Sequence, residues 1–172
     1  MTTFYHVRRA RLNDRARILS LQPETPADGS LAGIDDAGVI EALLQEPAPD
    51  LGALIAAGRY FVAETPRERG GEQGGEIVAG AGWASHDALG DVAMIRAVCV
   101  HAAHRGTSIA RRLVEIAEDA AVTEGHGVIL APVAATAAGM FEALGYLHTG
   151  HVEVELAAGR RLHRRKMWKH AA

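Results

Sequence analysis

A chain of 172 residues, 48% of them hydrophobic and 23% charged, has enough apolar surface for one core of ordinary domain size. Its net charge of -3 supplies no overall field to hold a nucleic acid, and its single cysteine, Cys99, excludes an internal disulfide. No apolar run approaches the ~20 residues of a membrane-spanning helix, and Met1 to Arg9 lacks the apolar centre of a signal peptide, so a cytoplasmic protein with no membrane partner is expected.

Phe4 to Ala10 reads as a first strand, followed by a helix capped by Asn13 or Asp14 that carries Ile18, Leu19 and Leu21. Pro23 and Pro26 end it. A second helix opens at Asp35 or Asp36, carries Val39, Ile40, Leu43 and Leu44, and stops near Pro47. A short helix over Leu51 to Ala57 closes at Gly58. Tyr60 to Glu64 is a strand, Thr65 to Gly75 a charged, glycine-rich loop, and Ile77 to Ala84 a small-residue strand containing Trp83. After a turn at Asp87 to Gly90, the apolar run Val92 to Val100 predicts a strand buried on both faces.

Ser108 to Glu124 carries the strongest helical pattern. Ile109, Leu113, Ile116, Ala117 and Ala120 share a face, with Arg111, Arg112, Glu115, Glu118 and Asp119 largely off it. Val128 to Leu130 is a short buried strand, Ala135 to Leu144 a helix closed by Gly145, and two strands finish the chain near Tyr146 to Leu156 and Arg161 to Trp168. The order predicts a mixed α/β (α+β) fold around one sheet. No repeat, low-complexity tract or linker divides it, so residues 1–172 are expected to form a single domain.

The segment Val98 to Leu113 is strand, loop, helix. A helix N-terminus offers unpaired N–H groups and partial positive charge, which suits a pyrophosphate. Arg105 adds charge, and Gly106 either lets the backbone approach the ligand or simply takes a positive φ in a plain turn.

Several stretches, in order, resemble the GNAT superfamily of acetyl-CoA-dependent N-acetyltransferases. Arg105-Gly106-Thr107-Ser108-Ile109-Ala110 resembles its Arg/Gln-x-x-Gly-x-Gly/Ala loop, with Ser108 replacing the middle glycine. Met140-Phe141-Glu142-Ala143-Leu144-Gly145-Tyr146 resembles its Phe-Tyr-Glu-x-Leu-Gly-Phe block, Tyr60 to Glu64 and Ile77 to Trp83 its central hairpin strands, and Met167-Trp168-Lys169 a common ending. The resemblance covers about the whole chain. It implies a mixed, mostly antiparallel sheet with helices on both faces, and acetyl-CoA as cosubstrate entering where two central strands splay apart. It also implies transfer of an acetyl or short acyl group to an amine of a small molecule or peptide, and a homodimer.

On that resemblance, backbone groups of Val98, Cys99 and Val100 would pair with the pantetheine arm, and Arg105, Gly106, Thr107, Ser108, Ile109 and Ala110 would hold the pyrophosphate. The tyrosine that many members use to protonate the leaving thiolate corresponds to Phe141, and a pantetheine-contacting asparagine corresponds to Ala134. Tyr146 and His148 are possible substitutes as acid. A thiolate whose parent thiol has a pKa of about 8.5 leaves without much help.

For base and acceptor contacts the residues leave alternatives open. Simple alternation puts Met94, Arg96, Val98 and Val100 on one face of their strand. Arg96 is either a buried ion-pair partner or a clamp for an anionic group of the acceptor. Asp91, with Asp87 and His86, is a base candidate beside a water-mediated base. Trp83 is either core or a wall of the acceptor groove. Cys99 reads as a small buried hydrophobe rather than a nucleophile. His101 and His104 lack a third ligand at zinc spacing, so no metal is expected. Arg160, Arg161, His163, Arg164, Arg165, Lys166 and Lys169 form a basic stretch, read as a solvated edge strand or as a patch for nucleic acid. A CoA-binding module without catalysis is the remaining rival, motivated by Ser108, Ala134 and Phe141.

Overall fold

The computed structural model describes residues 4–21, 51–66, 75–86, 89–156 and 160–171, with side chains at 152–163 excepted. The expected helix from Asp35 to Pro47, most of the loop after Thr65 and the turn at Asp87 lie outside them. Seven strands form one sheet in the order β1-β2-β3-β4-β5-β7-β6. They are β1 His6–Arg9, β2 Tyr60–Glu64, β3 Ile77–His86, β4 Leu89–Val100, β5 Val128–Val133, β6 Leu147–Leu156 and β7 Arg160–His170. The described helices are α1 Arg15–Leu19, α2 Leu51–Ala56, α3 Ile109–Thr123 and α4 Ala138–Ala143. Every ladder is antiparallel except β4 with β5. This is the mixed, mostly antiparallel sheet that the sequence led us to expect.

Alternation along β2 explains the two cores. Phe61 and Ala63 join Val78, Ala79, Ala81 and Trp83 of β3 under α3 and α4. Tyr60 and Val62 face the other way, against Ile18 and Leu21 and against Leu51, Leu54 and Ile55 of α2. Helices therefore cover both faces. Leu19, expected on the apolar side of α1, is 43% exposed, because the buried side of this short helix is the one carrying Ile18, and the next residue lies about 100° around the helix. The helix predicted over Ala135 to Leu144 is likewise a 3-10 turn, Ala135–Ala137, followed by the short α4.

On α3 the buried positions are Ile109, Leu113, Val114, Ala117, Glu118 and Ala121. Glu118 was expected off this face. It is buried because it is fully partnered: Tyr146 donates to its Oε1 at 2.6 Å, and Lys169 Nζ donates to its Oε2. Burial first, and then the neighbouring Glu118 carboxylate, push the Tyr146 phenol far above its ordinary value. The basic stretch on β7 is not an edge strand: β7 lies between β5 and β6, and β6 is the edge. Register sets Glu153 opposite His163 and Glu155 opposite Arg161.

A second buried charge cluster closes the other end of the sheet. Arg8 of β1 donates to both oxygens of Asp14, at 2.7 and 3.0 Å, and to Glu64 of β2. These hydrogen bonds, chiefly those from Arg8, hold the Asp14 and Glu64 carboxyls below their ordinary range. Groups with depressed folded-state pKa values stabilise above the unfolded carboxylate range, and that stability is lost as pH falls through the folded values. Unfolding free energy from urea titrations should therefore fall steeply below about pH 4. Glu64→Gln should cost about 2 kcal/mol at pH 7 and flatten the acid slope. An unchanged slope would show that this cluster does not set acid stability.

Candidate active site

The two halves of the sheet meet through only three rungs. Val92, Ala93 and Met94 of β4 pair with Val128, Ile129 and Leu130 of β5. Beyond them β5 continues along β7 as far as Val133, and β4 continues along β3 as far as Val100, with no further rung between β4 and β5. Pro132 has no N–H to offer a ladder here. A wedge-shaped gap with an open strand edge is the result.

On the β4 side the gap begins at a bulge. Gly80 of β3 pairs with Cys99, but Gly82 pairs with Arg96, so Ala97 and Val98 together oppose one residue. Ala97 has φ +51, the only positive φ at a non-glycine among the described residues. The bulge corrects two expectations. Met94 and Arg96 do not share a face with Val98 and Val100, because the extra residue reverses the alternation: Ala97 and Cys99 pack toward α1 and α2, whereas Val100 packs under α3. The strand is also not buried throughout, since Val98 is 39% exposed beside the gap.

The end of β4 leads into the loop. A 3-10 turn over Ala102–His104 is fixed by His101, whose Nδ1 accepts the Ala103 N–H at 3.3 Å, and by Tyr5, whose hydroxyl lies 3.0 Å from His104 Nδ1. Both histidines thus work within the loop. Thr107 Oγ1 donates to the His104 carbonyl at 2.7 Å. Gly106 has φ +74, with no atom within 4 Å of where a Cβ would stand. Its glycine is required by backbone conformation, not by crowding. Ser108 is the N-cap of α3, exposed, and makes no capping bond of its own. The N–H groups of the first turn therefore face outward without a side-chain cap. Beside that turn a hollow of about 520 Å³ brings Arg9 and Arg112 to the same side as Ser108. Geometry and charge together suit a phosphate-bearing ligand running from the gap to the helix.

The other candidates separate. Arg96 is half-buried on the face toward α1 and α2, level with Gly82 and 3.5 Å from Met94 Sδ. It stands one residue before the bulge, at the mouth of the gap. Trp83 is fully buried under α3, edge-on to His126 at 5.3 Å and beneath the Arg59 guanidinium at 4.3 Å. A side chain so enclosed lines no groove, so its place as an acceptor wall is corrected to core. Asp91 accepts the Gly127 N–H at 2.7 Å at the start of β4, about 30 Å of extended strand from the loop. Its role there is to clasp the beginnings of β4 and β5. His86 ends β3 at that same far end.

Phe141 is 2% exposed and stacks edge-on to Tyr146 at 5.1 Å, inside the core. Tyr146, committed to Glu118, is buried as well, which removes it as a substitute acid. His148 is exposed on β6. Burial pushes the Cys99 thiol up, which keeps it protonated and weakly nucleophilic. What sequence reasoning missed is Ala97 and the Tyr60 hydroxyl, which donates to the Ala97 carbonyl at 2.8 Å. The available signal was Gly80-x-Gly82 inside a strand, a mark of close approach or a bulge.

Residues 56–147, just over half of the chain, match the family profile of the acetyltransferase (GNAT) domain. Among solved structures the chain is similar to yncA of Salmonella typhimurium, which holds acetyl-CoA. That match has 22% identity, TM-score 0.65 and coverage of 99% of this chain and 98% of that one. A GCN5-related N-acetyltransferase of Rhodopseudomonas palustris is 18% identical at TM-score 0.68, with 99% of both chains covered. The phosphinothricin acetyltransferase of Sinorhizobium meliloti, in complex with acetyl-CoA, is 17% identical at TM-score 0.68, with 98% and 89% covered. No curated protein matches the chain in sequence.

The loop geometry yields a paired prediction. Gly106→Ala meets no steric obstacle but must hold a left-handed backbone, so it should cost about 1 kcal/mol. Gly139→Ala, equally unobstructed but inside α4, should gain roughly 0.5–1 kcal/mol. Denaturant titration of both checks the contrast; equal effects would contradict the assigned loop conformation.

Proposed function

Because the chain belongs to the GNAT family of acetyltransferases, we propose that residues 1–172 form one domain that transfers an acetyl or short acyl group from acyl-CoA to an amine by direct attack on the thioester. The observation that carries this reading is the β4–β5 gap running into the uncapped first turn of α3. In it the pantetheine arm lies along the free edge of Val98, Cys99 and Val100 as an added strand. The pyrophosphate rests on Arg105 to Ala110, with Ser108 offering its hydroxyl where relatives of this loop have glycine.

The chemistry then follows from what the residues can and cannot do. A backbone N–H after the bulge polarises the thioester carbonyl. The neutral amine attacks the carbonyl carbon, the C–N bond forms, the C–S bond breaks, and the amine's surplus proton passes to water. The thiolate departs near its own pKa, because Phe141 and Tyr146 are both locked in the core. Positioning carries most of the acceleration. Arg96, on the α1 and α2 face at the mouth of the gap, binds an anionic group of the acceptor.

Acetyl-CoA should raise the melting temperature of the protein, and a panel of amines should release CoA above background. A melting shift without release from any amine would reduce the protein to a CoA-binding module. Arg96→Ala should raise KM for a carboxylate-bearing amine by about tenfold while leaving the Kd for acetyl-CoA within about twofold. An unchanged KM would remove the clamp.

A further inference from the structure

We propose that Tyr60 is a positioning residue for acyl transfer: its buried hydroxyl, reaching across β3, holds the surplus residue of β4 so that the next backbone N–H meets the thioester. This rests on the acetyltransferase reading above and adds a residue to it.

Tyr60 belongs to β2, and Ala97 to β4, two strands away. The ring crosses the intervening strand by lying over two glycines. A Cβ at Gly80 would stand 2.5 Å from the Tyr60 hydroxyl oxygen, and one at Gly82 would stand 2.6 Å from Tyr60 Cδ2. Any other residue at either position would displace the ring. At the end of this path the hydroxyl donates to the Ala97 carbonyl at 2.8 Å, with Cys99 Sγ 3.5 Å away. Tyr60 is wholly buried.

The partner is the residue that needs support. Ala97 holds φ +51, unfavourable for a residue with a Cβ, and a bulge leaves the extra residue out of the ladder. A buried carbonyl without a ladder partner requires another donor. Tyr60 supplies one that stays protonated, since burial pushes its phenol well above the ordinary value. Were the bulge lost and the end of β4 to slide by one residue, Val98, Cys99 and Val100 would exchange faces, and the N–H aimed at the gap would be exchanged with them. A hydroxyl fixed on Ala97 opposes that slide without touching substrate.

Tyr60→Phe keeps the ring and removes only the hydroxyl. The full chain, loaded with acetyl-CoA labelled with ¹³C at the thioester carbonyl, is read by infrared difference spectroscopy, alongside steady-state kinetics with the best amine of the panel. In the wild-type protein the carbonyl stretch should move down from its value in free acetyl-CoA. In Y60F most of that displacement should be lost, with kcat about tenfold lower and KM for acetyl-CoA within about twofold. The double variant Y60F/A97G should recover most of both, because glycine holds the left-handed backbone unaided; its relaxed bulge also keeps a folded protein to measure if Y60F alone does not fold. A wild-type carbonyl shift and kcat in Y60F, or a double variant no better than Y60F, overturns the role of Tyr60. A wild-type chain that neither shifts the carbonyl nor releases CoA overturns the acetyltransferase reading itself.

Discussion

Two neighbouring strands that part after three rungs place an unusual demand on a sheet. Beyond Met94 and Leu130 the backbone groups on the two facing edges have no ladder partner across the gap, while the other edges stay paired with β3 and β7. Each such group costs about 1–3 kcal/mol when desolvated and unpaired, so the parting must be held open by interactions elsewhere. Here they come from both ends. At the closed end, Asp91 accepts the Gly127 N–H and the Ala171 N–H reaches the Gly127 carbonyl, tying β4, β5 and the end of β7 together. Across the back, Glu118 of α3 takes hydrogen bonds from Tyr146 and Lys169, which joins the helix packed on β3 to the β6–β7 side. The gap is thus a property of the whole frame, and the loop at its open end inherits its position from it.

On the proposed function, the same frame accounts for where polar help at the leaving sulfur would be absent. Phe141 and Tyr146 occupy the block that resembles the family's Phe-Tyr-Glu, but both rings are spent on packing and on the Glu118 tie. Burial that makes Tyr146 a reliable structural donor also makes it a poor proton source for a leaving group. On the proposed function, the site would lean on backbone groups, orientation and an already good leaving group, with Arg96 the charged side chain at the mouth of the gap.

Much of this was legible in the chain before any coordinates. Tyr60 to Glu64 matches β2 residue for residue, and α3 begins one residue after the expected Ser108, because alternation and helical periodicity are strong there. Arg105 to Ser108 stand between β4 and α3 as expected, and Ile109 and Ala110 open the helix. What periodicity could not reveal is any feature that breaks it. A period of two cannot contain a bulge, so Arg96 and Val98 were put on one face. Strand order is not written in local sequence either, so β7 looked like an edge although β6 covers it. Trp83 and Glu118 show the remaining limit: burial depends on partners distant in the chain, namely Arg59, His126, Tyr146 and Lys169.

The three-rung pairing of β4 with β5 also says something about mechanics. With rungs at one end, open edges at the other and a strut through Glu118 across the back, the two half-sheets resemble forceps braced at a preset aperture. On the proposed function, an entering arm of extended chain width would not have to pry them apart. It would lose its own freedom on binding but demand little deformation of the protein, so the aperture would select by thickness before any side chain selects by chemistry.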